Sequence, residues 1–312
     1  MSHIDSLFQQ VTEQLIKNSK AERSVDHRTV FQPANTANRT LVETIIAKLL
    51  LPGSRIDGYE HLIELHKLSQ KGESCLILME HYSNFDLPNL FYLAKDYPQG
   101  DEVMESVVAM AAAKLNEESR FVLAFTEAYT RIVIYPARLL ASLEGTEEYP
   151  LELTKSRTIN RSALREMIRL KHSGHMVLLF PAGTRYRPGK EETKRVLLEV
   201  DSYIKGFDHM VFVGIAGNTL EVNPTAAMNK DDPCTDVVVY KVSEVTDSAA
   251  FRQSQRAAFP EGGEAAKRAV GSAVEKRFDE LHAEAEAIRK VALQELAEKG
   301  IKPQRFSLDL PK

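Results

Sequence analysis

Apolar residues return along the chain in two rhythms. Ile4, Leu7, Phe8, Val11, Leu15 and Ile16 recur at steps of 3, 1, 3, 4 and 1, which marks one face of a helix over residues 4 to 16. Its polar face carries Gln, Glu and Asn more than Lys or Arg, so docking on the protein body is expected rather than an interfacial membrane anchor. Residues 19 to 39 are polar, contain Pro33, and read as a connector. Leu41 to Leu51 reads as a second helix, stopped by the breaker pair Pro52-Gly53. The pair marks the expected boundary between an N-terminal helical region, residues 1–51, and a larger unit, residues 52–312.

Past that boundary, helical and strand-like segments alternate. Tyr59 to Lys71 reads as a helix ended by Gly72, and Ser74 to Met79 as a buried strand. Leu87 to Ala94 and Phe121 to Thr130 read as helices, and Arg131 to Tyr135 as a strand. Val103 to Ala113 is apolar throughout and fits either type. Asn160 to Lys171 reads as a helix, Met176 to Phe180 as a strand, and Val211 to Ile215 and Asp236 to Val242 as two more. Gly262-Gly263 opens a long final helix, with Val270, Val274, Phe278 and Leu281 on one face. Short apolar strands between helices predict an α/β fold: a central mixed, mostly parallel sheet with helices on both faces, plus the small N-terminal helical region.

Composition narrows the class. Of 312 residues, 43% are hydrophobic and 27% charged, which is globular. Lys plus Arg is 40 and Asp plus Glu is 44, a net charge of −4, so a protein that coats nucleic acid is not expected. No run reaches the roughly 18 apolar residues of a membrane span. The opening Met1-Ser2-His3-Ile4-Asp5 lacks the basic flank and apolar core of a signal peptide. Two cysteines, Cys75 and Cys234, make no disulfide framework and suit a reducing cytoplasm. Cys75 sits in an apolar run and reads as a core residue.

Three places carry candidate chemistry, each just after an expected strand, where sites gather in open α/β sheets. In the block Glu80 to Asp86, His81 and Asp86 lie five positions apart. A turn between them lets Asp86 accept a hydrogen bond from one imidazole nitrogen and leaves the other as a base for a hydroxyl. In the block Phe180-Pro181-Ala182-Gly183-Thr184-Arg185-Tyr186-Arg187, a glycine permits close ligand approach and two guanidiniums suit a phosphate. Arg138 follows the strand around Ile132 to Ile134. The mixed-charge run Gly189 to Arg195 reads as a solvated loop, with extension of a phosphate pocket as its functional alternative. Asp231-Asp232 and the helix around Glu284 and Glu286 read as solvated faces. His61, His66, His172 and His175 read as surface or structural histidines, since no carboxylate converges on their spacing.

In this order the three blocks resemble the glycerophospholipid acyltransferase family, most closely its soluble plastid-type glycerol-3-phosphate acyltransferases. The matching residues are His81 to Asp86, Ile132 to Arg138 and Phe180 to Arg187, supported by the Arg-rich helix Lys155 to Arg165. The resemblance covers about residues 72 to 224. It implies an enzyme that moves an acyl group from an acyl carrier protein or coenzyme A thioester to the sn-1 hydroxyl of glycerol 3-phosphate, giving lysophosphatidate for phospholipid synthesis. His81 would be the general base, oriented by Asp86. Arg138, Arg185 and Arg187 would bind the acceptor phosphate. Gly183 and Thr184 would shape the loop and meet the oxyanion. No metal and no cofactor beyond the thioester co-substrate are implied, and no nucleic acid. A cytoplasmic protein, in peripheral contact with the inner membrane face, is the expected setting.

Three features depart from the pattern. Glu80 stands where the family usually has Asn or Ser, Ala182 where many members have Glu, and Arg138 is followed by Leu139 where the plastid branch has adjacent basic residues and a histidine. The alternatives are acylation of lysophosphatidate and, in a different class, a non-catalytic phosphate- or lipid-binding protein.

Overall fold

The computed structural model describes residues 3–22, 24–117, 119–221 and 231–306. Within them the apolar runs form β1 (Phe31–Gln32), β2 (Arg55–Asp57), β3 (Cys75–Met79), β4 (Val107–Ala112), β5 (Arg131–Ile134), β6 (Met176–Leu179) and β7 (His209–Ala216). The strands β8 (Leu220–Glu221), β9 (Asp232–Pro233), β10 (Val239–Val242) and β11 (Thr246–Asp247) follow. The helices are α1 (His3–Asn18), α2 (Thr36–Leu49), α3 (Tyr59–Gln70), α4 (Asp86–Ala94), α5 (Gly100–Glu105) and α6 (Lys114–Glu117). They continue with α7 (Arg120–Thr126), α8 (Ala137–Ser142), α9 (Tyr149–Lys171), α10 (Val200–Lys205), α11 (Ser248–Arg256) and α12 (Gly263–Glu298).

Nine strands form one sheet in the order β1-β5-β4-β6-β3-β7-β10-β2, with β11 added beside β7. The inner run β5-β4-β6-β3-β7 is parallel throughout. The outer members make it mixed: β1, β10 and β11 pair antiparallel, while β2 lies parallel to β10. Successive side chains of a strand point to opposite faces. In β3, Cys75, Ile77 and Met79 therefore join one core with Leu15 of α1, Val42 and Ile45 of α2 and Leu62 of α3. Leu76 and Leu78 join the other, with Ile159 and Ala163 of α9, Ile204 of α10 and Val274 of α12. Both faces are covered by helices, which is why β3 is apolar at every position.

Two expected segments resolve differently. Val103 to Ala113 divides into the end of α5 and the strand β4, which is buried and so shows no alternation. The connector over 19 to 39 contains β1, paired with β5, and the first turn of α2, whose N-cap Asn35 accepts a hydrogen bond from the Asn38 amide. Cys75 and Cys234 are free and buried, and burial pushes both thiols up to about 12. His66 is buried and bonded to Ser106 Oγ at 3.1 Å, a structural role. Among the described residues no helix is long and apolar enough to cross a membrane.

The N-terminal helices are tied to α7 through Glu127, at its C-terminal end. Its carboxylate, only 5% exposed, accepts from Ala21 N at 2.9 Å, Asn35 Nδ2 at 2.6 Å and Asn38 Nδ2 at 2.8 Å. Ser19 Oγ donates to it as well, at 3.2 Å. The same Asn38 amide donates to Leu15 O and Ala124 O, so one polar cluster joins α1, α2 and α7. Glu127→Ala strands these donors, and the unfolding free energy in urea is expected to fall by about 3 kcal/mol. A change below about 0.5 kcal/mol would show that the cluster does not anchor this region.

Candidate active site

The block after β3 folds around one carboxylate. Asp86 opens α4 and is 3% exposed. Its Oδ2 accepts the amides of Tyr82 at 2.7 Å and Ser83 at 2.9 Å, and Ser83 Oγ donates to Oδ1 at 3.2 Å. His81 Nδ1 lies 2.9 Å from the same Oδ2. A carboxylate that takes up two amides is an acceptor, so Nδ1 carries the hydrogen and Nε2 the lone pair. Among the described residues Nε2 has no partner. The imidazole is stacked on Phe180 at 3.9 Å between ring centroids and 20° between planes. Parallel pairing of β3 with β6, Leu78 beside Leu179, brings the two loops out side by side. Tyr186 N donates to His81 O at 2.7 Å and joins them.

A second layer comes from α12. Glu80 Oε2 accepts Ile215 N at 2.8 Å, and Glu80 Oε1 accepts the Tyr82 hydroxyl at 2.8 Å. His282 Nδ1 donates to Ile215 O at 2.7 Å and lies 3.6 Å from Glu80 Oε2. The Glu80 carboxylate raises His282 above the ordinary imidazole value, against an opposing burial effect. Burial first, and Glu80 second, push the Tyr82 phenol far up, so it remains an O–H donor. Close approach of α12 to β7 needs Gly214, where a Cβ would lie 2.7 Å from Leu281 Cβ and 2.9 Å from His282 N. His282 was not legible as a site residue: it is one polar position on a long helix, two hundred residues from Tyr82.

His81, Tyr82, Tyr186, Lys194 and Arg195 line a cleft of about 290 Å³. Its acidic lining includes Glu275, held by Val196 N and Arg268, Glu191, which accepts the Tyr186 hydroxyl, and Asp279. Lys194 Nζ sits over the Tyr186 ring at 4.5 Å, and Arg195 has no acidic partner among the described residues. The run taken as a solvated loop thus brings two cations to the cleft that holds His81. A small apolar cavity lies beside Asn84, lined by Phe8, Phe85, Phe121 and Phe125.

The other expected residues scatter. Arg185 is 6% exposed and paired with Asp231, which is 1% exposed. Asp231 is therefore not on a solvated face: a buried guanidinium requires a buried counter-charge. Arg187 is half-buried, and its amide donates to Thr193 Oγ1 at 2.9 Å. Arg138 is exposed at the start of α8, and the strand order β5-β4-β6-β3 puts its strand three spacings from β3, about 14 Å across the sheet. Gly183 adopts φ +64°, a left-handed angle that glycine tolerates, and its own amide is spent on Phe180 O at 2.9 Å. The Thr184 amide has no partner among the described residues.

No family profile matches the chain. No curated protein matches it significantly.

Because His282 is raised in the fold, its contribution to stability is full below the ordinary imidazole value of 6.5 and is lost as pH climbs through the raised one. The melting temperature is expected to fall from about pH 6 to pH 8, and His282→Gln is expected to flatten that slope. Identical slopes in a pH series of calorimetric scans would refute the pairing.

Proposed function

We propose that this chain is a metal-independent acyltransferase. It moves a fatty acyl group from an acyl carrier protein or coenzyme A thioester to the sn-1 hydroxyl of glycerol 3-phosphate, giving lysophosphatidate for phospholipid synthesis. The observation that carries the proposal is His81: Nδ1 is locked to Asp86, while Nε2 is free in a cleft that also holds Lys194 and Arg195. The residues that prompted the family resemblance supply both the base and the loop stacked against it.

The chemistry follows from that arrangement. Nε2 takes the proton of the acceptor hydroxyl as its oxygen attacks the thioester carbonyl. The new C–O bond leaves a tetrahedral oxyanion, assigned to the backbone of the loop that carries Gly183 and Thr184. Collapse breaks the C–S bond, and the departing thiolate recovers the proton from Nε2. Asp86 balances the transient imidazolium without moving. The acceptor phosphate is assigned to Lys194 and Arg195, with Arg187 on the adjoining loop. Arg185 acts instead as an anchor, because its charge is already met by Asp231. The amphiphilic product fits a cytoplasmic protein working at the inner face of a membrane.

Thiol release from purified protein tests this directly, with both thioesters as donors and glycerol 3-phosphate and lysophosphatidate as parallel acceptors. His81→Ala is expected to lower turnover by about 10²–10⁴-fold while the protein still folds. Release only with lysophosphatidate would move the chain to the second acylation step. No acceptor-dependent release would leave a phosphate- or lipid-binding protein.

The two kinds of cation separate by experiment. Lys194→Ala or Arg195→Ala is expected to raise the acceptor KM about tenfold, with the thioester KM unchanged. Arg185→Ala leaves Asp231 buried without its cation and is expected to cost about 3–5 kcal/mol of stability. A stable Arg185→Ala protein with a raised acceptor KM would return Arg185 to the phosphate.

A further inference from the structure

Helix α9 presents an outward face that the fold does not use. Its inward side buries Ser156, Ile159, Ala163, Met167 and Leu170. On the outward side, Arg157, Arg161 and Arg165 are exposed and follow one another at i, i+4 spacing. None of the three has a carboxylate partner among the described residues, whereas the next in the row, Arg169, is held by Glu166 at 2.9 Å. Like charges four apart on a helix repel, so this row is unfavourable for the isolated chain. Beside it runs an aliphatic row, Leu164 at 52% exposure and Ile168 at 48%, also four apart. The chain as a whole carries a net charge of −4, so a cationic row without counter-charge stands against the general balance.

We propose that this face of α9 docks on an anionic lipid surface. The row from Arg157 to Arg169 extends about 18 Å along a convex helix. Such a line suits a plane of phosphates, with guanidiniums at headgroup level and short aliphatic side chains dipping below it. Among the described residues α9 carries no aromatic side chain past Tyr149, and Phe31, against Arg169, is half-buried, so the face has little of the aromatic anchoring that concentrates binding energy between proteins or stacks on bases. The acidic residues Glu144, Glu147 and Glu148 are exposed ahead of the helix, which confines the contact to its middle and C-terminal turns. The proposal does not depend on the acyl-transfer assignment, because none of these side chains lines the His81 cleft.

Flotation of the full chain with vesicles decides it. Binding is expected to phosphatidylglycerol-containing vesicles at low salt, with none to pure phosphatidylcholine and loss at high salt. The triple variant Arg157→Gln, Arg161→Gln, Arg165→Gln is expected to bind about a hundredfold more weakly. Leu164→Ser with Ile168→Ser is expected to weaken binding while retaining its salt dependence. Circular dichroism checks that both variants, all at exposed positions, keep their helix content. Absence of vesicle binding, or equal binding by the triple variant, would overturn the proposal. Arginine-dependent capture of an acidic carrier protein, with vesicles ignored, would overturn it in favour of a protein partner.

Discussion

The Asp86 carboxylate is the point on which the candidate site depends. Taken out of water, it must be satisfied by donors, and the donors it collects are two loop amides, a serine hydroxyl and the His81 imidazole. Satisfying one buried charge therefore folds the loop after β3, starts α4, and sets the tautomer of the His81 imidazole in the cleft. The backbone carbonyl of the same residue accepts the Tyr240 hydroxyl at 2.6 Å, which ties the loop to β10. Sheet and base are coupled through one residue.

Burial also divides the arginines by task. Arg185 pairs with Asp231 in the interior, and Arg131, 2% exposed, is lowered by desolvation to about 10. A charge held in that way is committed to the fold. Lys194 and Arg195 are exposed at the cleft, and neither has a carboxylate partner among the described residues.

Helix α12 shows how a distant segment completes a local motif. Glu80 meets Tyr82 from the same loop and Ile215 N from β7, with His282 of α12 alongside. The approach is possible because Gly214 has no side chain. Glu80, next to His81, is thus part of a packed polar layer behind the histidine.

Local interactions were legible in the sequence. Alternating helix and strand signals, the breaker pairs, and the His81–Asp86 contact all depend on residues a few positions apart, where backbone geometry leaves few choices. The parallel sheet with both faces covered followed from the uniform apolarity of the runs at Cys75 to Met79 and Met176 to Leu179. Tertiary structure alone decided the rest. The short edge strands β1 and β2 carry no period, the burial of Asp231 depends on Arg185, and His282 matters only because Gly214 lets its helix come close. The physical reason is common to all three: desolvation and charge pairing depend on what lies across space, and residues far apart in sequence leave no periodic trace of meeting.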